Sequence, residues 1–241
     1  MRFLSLLTVL SLLTVSAVRA EDEFNLKSPD GRHEVGLRFA AFQPTAKFGI
    51  NGVTGDKGER FGSLGFLFGV DWFRNITPAL AAGLEGLYIS RGNYSLNNLS
   101  GVAGSKTLVS GDTKAVLALL RLRKPGIGLR PYMAAGVGAH ITQMNVYLQA
   151  PPGFIWVGFG DELSLVNATQ AGLIWTGRAG IEKVWPDGGA VGLEFGYIGI
   201  PSHRYPLTAS GRAFGLRSDV VSPGDGMSVS LRFSHRFNTG S

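Results

Sequence analysis

The sequence contains no cysteine. That excludes disulfide frameworks, thiol nucleophiles and zinc sites of the finger or ribbon type. Charge is scarce: 17% of the 241 residues are Asp, Glu, Lys or Arg, against about 25% in an ordinary soluble domain. The net charge of +6 is spread without any lysine–arginine run, which argues against a nucleic-acid partner. Beyond residue 20 no apolar stretch reaches the length that a membrane-spanning helix needs. Only four histidines occur, His33, His140, His203 and His235, and their spacing is unlike that of metal ligands. The sequence also lacks the G-x-S-x-G, Walker and H-E-x-x-H patterns, so no catalytic residue, metal or cofactor is expected. Glycine, by contrast, is abundant at 35 residues, without a G-X-Y period, and 44% of residues are hydrophobic. Collagen and disordered linkers are thereby excluded. A chain so poor in charge needs something other than water to cover much of its surface.

The first residues supply part of the apolar content. Arg2 precedes an apolar core from Phe3 to Val15, and Ala17-Val18-Arg19-Ala20 offers a small-residue cleavage site before Glu21. This is the pattern of a signal peptide over 1–20, followed by a short periplasmic segment, 21–30. The expectation is an exported protein.

Period-two segments dominate the remainder. Eight are legible, over 33–42, 63–73, 79–90, 113–123, 131–142, 168–184, 190–199 and 226–237. In the first, Val35, Leu37, Phe39 and Ala41 alternate with Glu34, Gly36, Arg38 and Ala40. In the last, Met227, Val229, Leu231 and Phe233 alternate with Ser228, Ser230, Arg232 and Ser234. The fourth is apolar on both faces from Val116 to Leu120.

Connection lengths alternate. Residues 74–78, 124–128 and 185–189 form tight turns marked by proline or glycine, while 43–62, 91–112, 143–167 and 200–225 are long. Long loops at one end and short turns at the other are the pattern of a transmembrane β-barrel. A closed barrel pairs every backbone polar group in lipid without leaving an edge. The expected fold is therefore all-β, an eight-stranded antiparallel up-and-down barrel over 31–237 with a tail at 238–241. Apolar positions then face lipid. The opposite face, with Glu85, Arg121, Arg178, Glu182, Glu194 and Arg232, forms a charge network inside a narrow lumen. Glycines at 36, 69, 192, 196 and elsewhere on that face make room for the long side chains. Trp72, Tyr132, Trp185 and Phe237 at the short-turn end, and Phe42, Tyr88 and Tyr197 at the other, are expected to form two interfacial girdles.

Three segments carry a resemblance. Val229-Ser230-Leu231-Arg232-Phe233-Ser234-His235-Arg236-Phe237 resembles the closing strand of bacterial outer-membrane barrels. Pro131 to Gly138 and Gly192 to Tyr197 are similar to the fifth and seventh strands of small barrels related to outer membrane protein A. The resemblance covers about 30–237 and implies a barrel standing alone in a Gram-negative outer membrane. It also implies that Phe237 is an assembly signal read by the outer-membrane assembly machinery, here displaced from the terminus by Asn238 to Ser241.

The expected role is non-catalytic, structural or adhesion-like, through long extracellular loops on a monomer. Its partners are outer-membrane lipid and lipopolysaccharide, with His203, Arg204, Arg212 and Arg217 in the last loop suited to phosphates. A narrow porin-like channel is the alternative. A lipid A-modifying enzyme is the third reading, for which Ser202-His203 and Ser234-His235 are the adjacent pairs to examine. Gly153-Phe154-Ile155-Trp156-Val157-Gly158-Phe159, in the third long loop, is apolar enough to contact lipid or a partner, or to extend the strands as a hairpin.

Overall fold

The computed structural model describes residues 32–45, 64–97, 103–213, 215, 220–222 and 224–238. The expectations for the signal peptide and the periplasmic segment, for most of the first long loop and for Arg217 lie outside the described residues.

Eight strands close into an antiparallel barrel, as the alternation and turn pattern lead one to expect. They are β1 (His33–Pro44), β2 (Gly65–Asn75), β3 (Leu80–Asn97), β4 (Lys106–Arg123), β5 (Gly128–Gln149), β6 (Glu162–Val184), β7 (Gly189–Gly199) and β10 (Gly226–Phe237). Each pairs with its sequence neighbour, and β10 closes the wall against β1, His33 opposite Phe237. Between β7 and β10 the chain forms a small sheet of β8 (His203–Tyr205) and β9 (Val220–Ser222), with a short helix, α1 (Ala209–Ala213), between them.

The wall obeys the alternation of side chains on a strand. Val35, Leu37, Phe39, Leu193, Phe195, Val229 and Leu231 face outward and are exposed, while Glu34, Arg38, Glu194 and Arg232 face inward and are buried. The segment from Val116 to Leu120 follows the same rule: Val116 and Leu120 point out, Leu117 and Leu119 point in. On β4 the outward apolar positions lie between exposed Lys114 and Lys124. About nine residues rising ~3.3 Å each, tilted by about 40°, span ~23 Å, which matches the apolar band of an outer-membrane barrel.

Two expectations need correction. The girdles do not include Tyr132 and Phe42, which are buried in the lumen. Each shares the parity of the inward charges on its own strand. Trp72, Trp185 and Phe237 do face outward at the short-turn end, and His33 stacks between Trp72 and Phe237 with ring centroids 5.7 and 5.9 Å away. The second and third long connections begin later and end earlier than expected, because β3 runs on to Asn97, β4 starts at Lys106, β5 runs on to Gln149 and β6 starts at Glu162. These four strands have 18, 18, 22 and 23 residues, against 12, 11, 11 and 12 in β1, β2, β7 and β10. The barrel rises on one side as a four-stranded wall above the apolar band.

Candidate functional site: a filled lumen

Inward-facing positions gather an arginine–carboxylate network at the short-turn end and middle of the barrel. Its densest point is Glu34 on β1. Glu34 Oε2 accepts hydrogen bonds from Arg121 (2.6 Å), Arg123 (2.8 Å) and Arg236 (2.8 Å). Its other oxygen lies 2.8 Å from Arg232 Nη1. Glu182 Oε1 accepts from Arg130 at 2.7 Å and from Arg236 at 3.0 Å, so Arg236 bridges the two carboxylates. Asp71 receives a bidentate fork from Arg232, with Nε to Oδ2 at 2.9 Å. Nearer mid-barrel, Glu85 Oε1 sits 2.7 Å from Arg38 and 3.1 Å from Arg178, and Glu194 lies 3.9 Å from Arg178. Arg121 also stacks over the Phe73 ring at 4.1 Å. Charges buried this deeply persist because each carboxylate is met by guanidinium donors.

All six residues expected in the network are buried in the lumen. Arg178 meets both Glu85 and Glu194, and Arg232 approaches Glu182 at 3.8 Å. Arg121 instead pairs with Glu34, which the expected set omits. Glu34 and Asp71 were legible as inward-facing by parity, but nothing in a linear pattern marks one carboxylate as the meeting point of four arginines. Arg123 and Arg130 flank a turn, where alternation gives the weakest signal.

Glycines on the inner face serve two purposes rather than the one expected. A Cβ on Gly36 would collide with the Arg232–Asp71 fork, and one on Gly196 would meet Ser228 and Arg178. On Gly83 and Gly136 a Cβ would instead strike Phe73 and Leu119, and on Gly138 it would strike the β4 backbone, so these glycines admit apolar packing.

Above the charges lies an apolar layer that includes Leu67, Leu87, Ile89, Leu117, Ile174 and Ile198. Over it runs a polar chain that sequence reading missed. Arg91 donates to Thr113 Oγ1 at 3.2 Å, Thr113 and Thr142 share a 2.8 Å hydrogen bond, and Thr142 contacts His140 Nδ1 at 3.0 Å. His140 Nε2 then meets His203 Nε2 at 3.2 Å. The two histidines are 63 residues apart in sequence and come from the wall and from β8. Burial, together with the Arg91 guanidinium, holds His203 below its ordinary value of 6.5. Among the described residues no three His, Asp or Glu side chains converge as a metal site requires. Of the two Ser-His pairs, His203 is turned toward His140, and His235 is exposed near the short-turn end.

Highest in the barrel is a second apolar core. Val109, Met144, Val146, Leu148, Leu163, Leu165 and Val166 from the tall wall enclose Tyr205, Leu207 and Val220 from the last loop. Thr208 fastens that loop, its backbone N–H donating to Leu165 O at 2.9 Å and its hydroxyl to Ser164 O. The last loop is thus folded onto the mouth.

No family model matches the chain, and no curated protein matches it. Solved structures do. The outer membrane protein OprG from Pseudomonas aeruginosa is 13% identical with a TM-score of 0.54, covering 89% of this chain and 100% of that one. Ail, the attachment invasion locus protein of Yersinia pestis, is 8% identical with a TM-score of 0.43, covering 85% and 99%. The outer membrane enzyme PagL is 13% identical with a TM-score of 0.34, covering 85% and 99%. At such identities the likeness concerns the fold, and the roles these proteins' names state differ. The chain has the fold of the small eight-stranded bacterial outer-membrane β-barrels.

Proposed function

We propose that the chain is a non-catalytic, non-conducting outer-membrane barrel that acts through its extracellular surface, in a structural or adhesion-like role. The observation that carries this reading is the filled lumen. Buried ion pairs occupy the lower part, apolar side chains the middle, and the last loop covers the mouth. A packed eight-stranded barrel leaves little bore for a solute. The tall wall of β3 to β6 meanwhile gives the outer side a large, ordered surface. Arg204 and Arg212 are exposed in the last loop, a placement suited to lipopolysaccharide phosphates, and the Phe237 ring at the closing seam suits an assembly signal.

One observation favours the narrow channel as a second reading. Among the described residues eight arginines but only five carboxylates are buried, and such an excess would favour anions. Planar-bilayer recording separates the two. No discrete conductance steps are expected. Anion-selective steps from the purified monomer would replace the proposed reading with the channel.

A further inference from the structure

The tip of the β5–β6 hairpin presents apolar side chains to water. Phe154, Ile155 and Val157 are 67%, 72% and 92% exposed, and Phe159 is exposed beside them. The tip is nonetheless built. Ala150 N–H donates to Asp161 O, Phe154 N–H to Pro151 O, Trp156 N–H to Gly160 O, and both Phe159 and Gly160 N–H to Trp156 O, at 2.6 to 3.1 Å. Gly153, Gly158 and Gly160 take φ of 82°, 84° and 82°, the left-handed conformation this turn requires and side chains resist. Trp156 alone turns back, packing on the apolar core of the mouth. One aromatic therefore anchors the tip while its neighbours point away.

Height excludes the protein's own bilayer as the occupant. The last outward apolar residue on β5 is Ile141, and the strand continues to Gln149 with Gln143, Asn145, Tyr147 and Gln149 facing outward. Eight further residues at ~3.3 Å, tilted by about 40°, raise the tip by about 20 Å. The chemistry of the tip selects among external partners. Five of its ten N–H groups are already bonded within the turn and two further positions are prolines, which reduces the backbone donors that entry into an apolar medium would strand. No lysine or arginine lies in 150–161, and Asp161 and Glu162 form an exposed acidic collar below it. A surface of this kind repels anionic headgroups and suits a neutral one.

We infer that the 150–161 tip is an insertion finger for a zwitterionic phospholipid bilayer facing the cell, entering with Phe154, Ile155, Val157 and Phe159. This rests on the surface-interaction reading above and names its partner. The test is co-flotation of nanodisc-embedded barrel with phosphatidylcholine vesicles, with empty nanodiscs as control. Wild-type protein floats with the vesicles. The double variant Phe154→Asp/Val157→Asp loses binding by about tenfold or more, since two apolar side chains no longer leave water. Val157→Ser gives a smaller loss, and adding phosphatidylglycerol to the vesicles weakens wild-type binding. Retained heat-modifiable migration on gels shows that both variants remain folded. The inference is overturned if wild-type protein does not float, if the double variant floats equally, or if phosphatidylglycerol strengthens binding. It is also overturned if the double variant changes only self-association of the barrels, which would assign the tip to a second copy. Failure here together with a non-conducting barrel removes the lipid partner alone, whereas conductance steps remove the parent reading.

Discussion

The lower lumen and the mouth of the same barrel solve opposite problems with one backbone pattern. Within the apolar band, Val137 and Ile141 on β5 face outward, while the inner face carries charges such as Arg38, Glu85 and Arg178. Higher on the same strand Gln143 faces out and Met144, Val146 and Leu148 face in. Along β5 the alternation of side chains is the same at both heights. What changes is the medium outside, from lipid to water, so the outward face turns polar, while the interior, already apolar at Leu117 and Ile174, is closed toward the mouth by a second apolar core. Outward polarity inverts across a boundary of two or three residues. The lower interior is held by paired charges that specify partners, the upper interior by burial that specifies shape.

The strongest way to break this comparison is to remove the carboxylate that the lower interior is built around. Glu34→Ala leaves Arg121, Arg123, Arg232 and Arg236 facing one another without their shared anion. Removing one partner of a buried pair costs about 3–5 kcal/mol. Urea unfolding of vesicle-embedded protein should show that loss, with the mouth still packed in the folded fraction. An unchanged midpoint would mean that the lower network is as replaceable as an apolar filling.

A matched pair of outward substitutions sharpens the boundary itself. Leu193→Arg places a charge on the lipid-facing wall and should cost about 2–4 kcal/mol. Gln143→Arg, two positions past Ile141 on β5 and beside Asp112 on β4, should fall within about 0.5 kcal/mol of the parent. Equal effects in the same vesicle unfolding assay would move the boundary and undo the inversion.

The inversion also explains how far the sequence could be read. Barrel closure, strand number and face assignment were legible where lipid lay on one side and a filled lumen on the other, as from Val35 to Ala41 and from Met227 to Phe233. The tall wall was not. On β5 the apolar residues switch from odd positions, Val137 and Ile141, to even ones, Met144, Val146 and Leu148. A search for sustained alternation on one parity therefore ends at the boundary. On β6 a bulge adds a second break, leaving Leu165 and Val166 buried side by side. The six expected lumen residues followed from parity alone. Which carboxylate gathers which arginines depends on closure of β1 against β10, and the meeting of His140 with His203 depends on the path of a long loop. Neither leaves a local trace.

The smallest expected effect tests how the last loop is held over the mouth. His203 sits against His140, with Arg91 beyond the two threonines and the Tyr205 ring beside it. Burial first, and Arg91 second, push its basicity down, so the docked loop favours neutral imidazole. A proton then binds the undocked loop more readily than the docked one. Docking should be fully present above the ordinary histidine value of 6.5 and weaken as pH falls below it. Because His203 remains partly open to water, the effect should be smaller than either large substitution above. Hydrogen exchange reads it directly: residues 203–213 should lose protection between neutral and mildly acidic pH while β1, β2, β7 and β10 keep theirs. His203→Asn should flatten that dependence. If protection of the last loop were equally lost at every pH in this variant, the histidine would hold the loop by its contacts alone and not by its protonation state, and Tyr205, Leu207 and Val220 against the wall would not suffice to keep it docked.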